Sequence, residues 1–426
     1  IGKASKASSV DIDKALKSAE KGFEVWKKIK PWERSKIIRK IADEIRKKNK
    51  VFAKWMTLET GKTLAEGEAE AAAAADIFEW NAEETKRIYG QSLQSRFDNT
   101  KIQIIYQPVG VVAALSPWNF PLVLSARKVS AALAAGCSVI CKPDVITPGT
   151  VMEMVDIIKD CGVPPGAVNL LSGDPAAITT QLLSSDIVKK VSITGSTRVG
   201  KIILKQAADK VQRVTMELSG HAPFIVFDDA NIDKVTNVAM ACKYRNNGQV
   251  CISPSRFYIH ESKKEEFAKS FVEKTKKLKI GNGLDKGVQL GPLTTKKRLE
   301  EVEQLVEETK KEGARVLCGG RRPAGFNKGY FYEPTIFDNV KDNFKIMTVE
   351  PFGPLSPITT FKNFDCIKIP WIIMSCHGKT NPKSVLNNNI YRINYDKKYN
   401  FKCNSLKGKN KFSIQNSGNQ IQTKSI

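Results

Sequence analysis

The stretch KKVSITGSTRVGKIILKQAAD, residues 189–209, passes from one kind of secondary structure to another within a few positions. Residues 189–196 have the short apolar pattern of a strand, and TRVGKIILKQAAD runs on as a helix. Gly195 and Ser196 open that helix, where free backbone N–H groups favour a phosphate. Working towards the N-terminus, the same alternation recurs. A helix is expected over 123–135, then the strand CSVICKP (137–143), a helix from 149, the strand AVNLLSG (167–173) and a helix near 175–184. Towards the C-terminus follow RVTMELSG (213–220) and APFIVFDD (222–229), both strand-like. This alternation with short apolar strands predicts an α/β fold with a parallel, doubly wound sheet, whose ligands bind at the carboxyl ends of the strands. Lys142, Gly195 and Ser196 fall at such ends. No GxGxxG is present, so the usual dinucleotide fingerprint is absent, and GSTRVG alone is a weak signal.

Ahead of this unit, residues 11–50 read as two amphipathic helices and 51–90 as continued helix, with AEGEAEAAAAADIFEWNAEE the strongest helix former. They are read as packing elements. KIQIIYQPVGVVAALS (101–116) predicts two strands. SPWNFPL (116–122) is a stiff turn in which Trp118 and two prolines hold Asn119. A rigid amide is a candidate oxyanion donor, because it reorganises little as charge develops; the plainer reading is a turn residue. Glu217, at the end of its strand beside Ser219 and Gly220, is a candidate general base or a surface carboxylate. In RNNGQVCISPSR (245–256), Asn246, Asn247 and Gly248 favour a tight turn and Pro254 stops a helix, so Cys251 is presented on a non-helical elbow. A thiol there is a nucleophile if its thiolate is populated, or else a small packing residue.

The chain has 426 residues, 41% hydrophobic and 26% charged, enough for two or three domains. No apolar run is long enough to span a membrane. The nine cysteines show no CxxC pair, which argues against a zinc site or disulfide framework and favours a reducing cytoplasm. The formal net charge of +24 raises nucleic-acid binding. However, most lysines are interleaved with glutamates as on a solvated helix face, and no groove-reading motif accompanies them.

SPWNFP, CKP, ITGSTRVG, TMELSG, NNGQVC and EPFGP (350–354) occur in an order and spacing that resemble the aldehyde dehydrogenase superfamily, from about Ala15 to Asp365. Within it the chain looks most like the NAD(P)-dependent succinate-semialdehyde dehydrogenases. The resemblance implies that Cys251 attacks the aldehyde, giving a thiohemiacetal that passes hydride to the nicotinamide. Glu217 then activates water to hydrolyse the thioester. Asn119 and the Cys251 N–H would hold the oxyanion. Trp118, Lys142, Gly195, Ser196, Glu350 and Phe352 would bind the cofactor. Arg127 and Arg245 match positions that bind a distal carboxylate, which a guanidinium clamps bidentately; their plainer reading is structural ion pairing. A longer acidic semialdehyde such as 2-oxoglutarate semialdehyde would use the same clamp. The resemblance further implies homodimers or homotetramers.

Departures from the family pattern qualify this. Val145 stands where NAD-preferring members often carry a ribose-binding Glu, which tilts the expectation to NADP with NAD tolerated. Ser219 replaces a commoner Gly, and Ser253 a second cysteine. The expected domains are a dinucleotide-binding domain over 1–218, with oligomerisation strands at 97–109, and a catalytic domain over 219–365. Residues 366–426 hold ten Asn but no Ala or Glu, and 11 Lys and Arg against one Asp. They read as an out-of-frame or non-homologous tail lacking the family's glycine-rich loop and last intersubunit strand. A catalytically dead remnant is therefore the alternative to an active enzyme.

Overall fold

The structure is a computed structural model that describes residues 2–363. The expected tail and the last residues of the expected catalytic domain lie outside them. Four helices come first: α1 (Ser9–Trp26), α2 (Pro31–Lys47), α3 (Asn49–Thr60) and α4 (Leu64–Thr85). The continuous helix expected over 51–90 is interrupted at Gly61, which takes φ +83 as the cap of α3, and it ends at Thr85. A hairpin follows, β1 (Gln91–Gln94) paired antiparallel with β2 (Lys101–Ile104). β1 was not foreseen. Its polar QSLQ gives no strand signal, and pairing with β2 imposes the extended form.

The predicted alternation is present: β3 (Val111–Leu115), α5 (Pro121–Ala134), β4 (Ser138–Lys142), α6 (Pro148–Asp160), β5 (Val168–Leu170), α7 (Pro175–Ser184), β6 (Val188–Thr194), α8 (Thr197–Ala208) and β7 (Arg213–Glu217). These strands form one parallel sheet in the order β5-β4-β3-β6-β7. Successive residues of β3 point to opposite faces. Val112 and Ala114 pack with helices α2 to α6, whereas Val111, Ala113 and Leu115 pack with α1, α7 and α8. Cover on both faces explains why these strands are apolar throughout and do not alternate. The order reverses between β3 and β6, the position at which such sheets open a ligand crevice.

The second half contains β8 (Ala222–Val226), α9 (Ile232–Tyr244), β9 (Pro254–His260), α10 (Lys264–Lys276), α11 (Lys296–Lys311), β10 (Arg315–Cys318), β11 (Thr335–Asp338), α12 (Lys345–Thr348) and β12 (Leu355–Phe361). Its sheet runs β10-β11-β12-β9-β8, with only β10 antiparallel. β9 and β12 are parallel neighbours, so the segments leading into them, which carry Cys251 and EPFGP, arrive at the same edge. Four residues, Leu218 to His221, join β7 to β8. The carboxyl edge of the first sheet is thereby placed against the amino edge of the second. Among the described residues, no helix is long and apolar enough to cross a membrane.

Candidate active site

The Cys251 loop is shaped by amides. After α9, Asn246, Asn247 and Gly248 adopt left-handed φ of 49°, 55° and 71°. Asn tolerates this region better than other residues with a Cβ, and Gly freely. The Asn246 N–H donates to Glu66 Oε1 at 2.6 Å, and Asn247 Nδ2 donates to the Gly291 carbonyl at 2.9 Å. Gln249 donates through Nε2 to the Asn246 carbonyl and accepts the Thr294 N–H at Oε1, each at 3.0 Å. The N–H and carbonyl of buried Asn246 are thus both met by side chains, and Cys251 is left half-buried at the end of the turn.

Asn119 lies against the same loop. Its Nδ2 donates to the Gln249 carbonyl at 3.1 Å, and its own carbonyl accepts from Asn246 Nδ2 at 3.0 Å and Lys62 Nζ at 2.8 Å. An Asn amide carries two N–H donors, so this contact engages one of the two. The preceding Trp118 meets Phe352 of EPFGP edge to face, centroids 5.7 Å apart. Phe352 itself has φ +41°, and the Arg298 guanidinium lies 5.5 Å from its ring centre.

Burial pushes the Cys251 thiol up to about 11, and the charges of Glu217 and then Glu350 push in the same direction. The sulfur and both carboxylates therefore share one electrostatic environment, although they are far apart in sequence. With its pKa there, the thiol is protonated at neutral pH. Burial also raises Glu350 to about 7, against the Gly220 N–H, the Arg298 charge and the Ser219 hydroxyl. Burial lowers Lys243 to about 7, opposed by Glu350. Lys128 is lowered to about 8 by burial, opposed by Cys141 and Glu217, and its Nζ lies 2.5 Å from Thr194 Oγ1.

Lys142, Gly195 and Ser196 lie at the carboxyl edge of the first sheet. Lys142 is buried at the end of β4, and burial lowers its pKa. The Gly195 N–H donates to the Glu217 carbonyl at 3.0 Å. Ser196 caps α8 by accepting the Val199 N–H, so one helix-end donor is already engaged. Arg245 is exposed, with its guanidinium 5.2 Å from the Phe120 ring centre. Arg127 is exposed on α5, two turns beyond Phe120. Lys62, Glu70, Lys128 and Arg298 were not singled out from the sequence. For Lys128, a lysine within an otherwise apolar helix face was a usable signal. Lys62, Glu70 and Arg298 sit in ordinary charged stretches that carry no such signal.

The aldehyde dehydrogenase family model matches residues 1–369. The chain belongs to the aldehyde dehydrogenase family. It is 39% identical over 363 residues to a succinate-semialdehyde dehydrogenase [NADP(+)] of Escherichia coli, covering 85% of this chain and 75% of that one. It is 38% identical, with the same coverage, to a glutarate-semialdehyde dehydrogenase of Pseudomonas putida. The crystal structure of a succinate-semialdehyde dehydrogenase from Burkholderia pseudomallei superposes with a TM-score of 0.84 at 39% identity, over 85% of this chain and 75% of that one. The activity of this aldehyde dehydrogenase is NAD(P)-dependent oxidation of an aldehyde. Its residues fit the dinucleotide. A Cβ on Gly195 would meet only the Ile193 side chain, at 3.8 Å, so the space above that turn is open. Glu350 Oε1 is a buried acceptor with no hydrogen-bond partner among the described residues, as ribose hydroxyls would require.

Proposed function

We propose that this aldehyde dehydrogenase oxidises succinic semialdehyde to succinate, with Cys251 as nucleophile. Cys251, once deprotonated, attacks the aldehyde carbon, and the oxygen that becomes anionic is held by the second Asn119 N–H and the Cys251 backbone N–H. Glu350 would hold the ribose, Trp118 and Phe352 would frame the ring, and Lys142, Gly195 and Ser196 would take the rest of the dinucleotide. When bound, NAD(P) supplies the hydride acceptor. Glu217 then takes a proton from the water that attacks the Cys251 thioester, releasing the acid and returning the thiol. Val145, half exposed just beyond Lys142, puts no carboxylate against a 2′-phosphate, which favours NADP over NAD.

The observation that carries the substrate is Arg245, which follows α9 and is held on Phe120 beside the Cys251 loop. A guanidinium there clamps a distal carboxylate and leaves the aldehyde to the sulfur, with Arg127, exposed on α5, a second candidate for that carboxylate. Glutaric semialdehyde, one carbon longer, is the second reading, in view of the P. putida relative. The exposed β1–β2 hairpin, with Leu93, Ile102 and Ile104 open to solvent, suits assembly into an oligomer. The test is to follow reduced-cofactor absorbance with the two semialdehydes and with propanal. Turnover highest with succinic semialdehyde, lost in Cys251→Ala, is expected. A folded chain that turns over propanal equally well would overturn the substrate assignment, and one inert to all three would overturn the activity.

A further inference from the structure

A buried ion pair lies directly behind Asn119. Lys62 Nζ sits 2.5 Å from Glu70 Oε2, with the two side chains 0% and 1% exposed. The same Nζ donates to the Asn119 carbonyl at 2.8 Å and lies 4.3 Å from the centre of the Phe120 ring. The other oxygen, Glu70 Oε1, accepts the N–H groups of Leu122 and Val123 at 3.0 and 3.2 Å. These belong to the first turn of α5, whose own N-cap, Phe120, offers no side-chain acceptor. Glu70 therefore caps α5 from a different helix, and Lys62 holds Asn119, the residue before its N-cap.

Lys62 is itself tightly placed. A Cβ on Gly283 would come 2.3 Å from its carbonyl oxygen, and one on Gly291 would come 1.9 Å from that of Gly61. The backbone at Gly61 and Lys62 is thus packed directly against that of Gly283 and Gly291. We infer that Lys62 and Glu70 are positioning residues, which set the place of the Asn119 amide and so the oxyanion site. This rests on the reading of Asn119 as oxyanion donor. The pair has no route to the substrate itself, since both of its charged ends are spent on protein groups.

The test uses acylation of Cys251 by 4-nitrophenyl acetate, which needs no cofactor, in a double-mutant cycle of Glu70→Gln and Asn119→Ala. Asn119→Ala is expected to slow acylation by about 100-fold, the typical loss for one oxyanion donor. Glu70→Gln is expected to slow it about 10-fold, with little change in KM and in the rate of Cys251 alkylation by iodoacetamide. In the Asn119→Ala background Glu70→Gln should cost almost nothing more, because both act through one amide. A full further 10-fold loss there would show a merely structural role and overturn the inference. If Asn119→Ala has no effect, the oxyanion reading falls and the inference with it. Lys62→Met takes the place of Glu70→Gln should the latter not fold, and Lys62→Arg, which keeps a donor, should recover most of the rate.

Discussion

Gly248 and Gly353 are in such close approach that a Cβ added to Gly248 would stand 2.2 Å from the Gly353 carbonyl oxygen. The elbow that carries Cys251 and the EPFGP turn that carries Glu350 and Phe352 are packed backbone on backbone. Gly248→Ala would meet this clash and the cost of a left-handed φ together. We expect a destabilisation of about 2 kcal/mol or more and a fall in kcat of at least 100-fold. Chemical denaturation and steady-state kinetics would show it, and near-normal kcat would mean that the two turns are not held in register.

Burial and then the Glu217 charge raise the Cys251 thiol, and Glu350 adds to them. Replacing it with Gln removes a nearby negative charge and so lowers the thiol pKa from about 11. At pH 8, above the Glu350 value of about 7, iodoacetamide should alkylate Cys251 roughly three-fold faster in Glu350→Gln than in the wild type. The difference should fade below pH 7, where the wild-type carboxyl is itself neutral. An unchanged rate at pH 8 would place Glu350 too far from the sulfur.

Arg245 tests substrate recognition. Arg245→Ala should raise KM for succinic semialdehyde by about 30-fold, the scale of one charge-assisted bidentate contact of about 2 kcal/mol, and leave propanal nearly unaffected. Equal losses with both substrates would assign the arginine to the stacking on Phe120 alone.

His221 makes the stability of the fold depend on pH. Burial, then the charges of Arg256 and Lys243, lowers it to about 3, and its Nδ1 is 2.6 Å from Ser255 Oγ. Its folded pKa is depressed below the unfolded value near 6.5, so its contribution is fully present above about 6.5 and is lost as pH falls towards 3. Between pH 6.5 and 4 this amounts to roughly 3 kcal/mol. Denaturation midpoints should fall more steeply over that window in the wild type than in His221→Asn.

The motifs were legible because each needs a particular residue type at a particular place. Gly248 must be glycine under Gly353, Asn246 and Asn247 must tolerate left-handed φ, and Pro254 must end the turn. The parallel sheet was legible because strands covered on both faces are apolar throughout, as VVAAL in β3 is. Lys62 and Glu70 were not legible. A lysine in ETGKTLAE reads as a solvated charge, and only the approach of Asn119, Leu122 and Val123 from elsewhere turns it inward.

The chain's local composition determined the helices of the doubly wound sheet, most of its strands and the turn that presents Cys251, because dihedral preference and hydrophobic period act over neighbouring residues. The β1 strand, the pairing of the Cys251 and EPFGP turns and the thiol pKa near 11 were decided only by tertiary structure. Hydrogen bonds between strands, van der Waals exclusion and Coulomb interaction depend on distance in space, and sequence separation does not specify it.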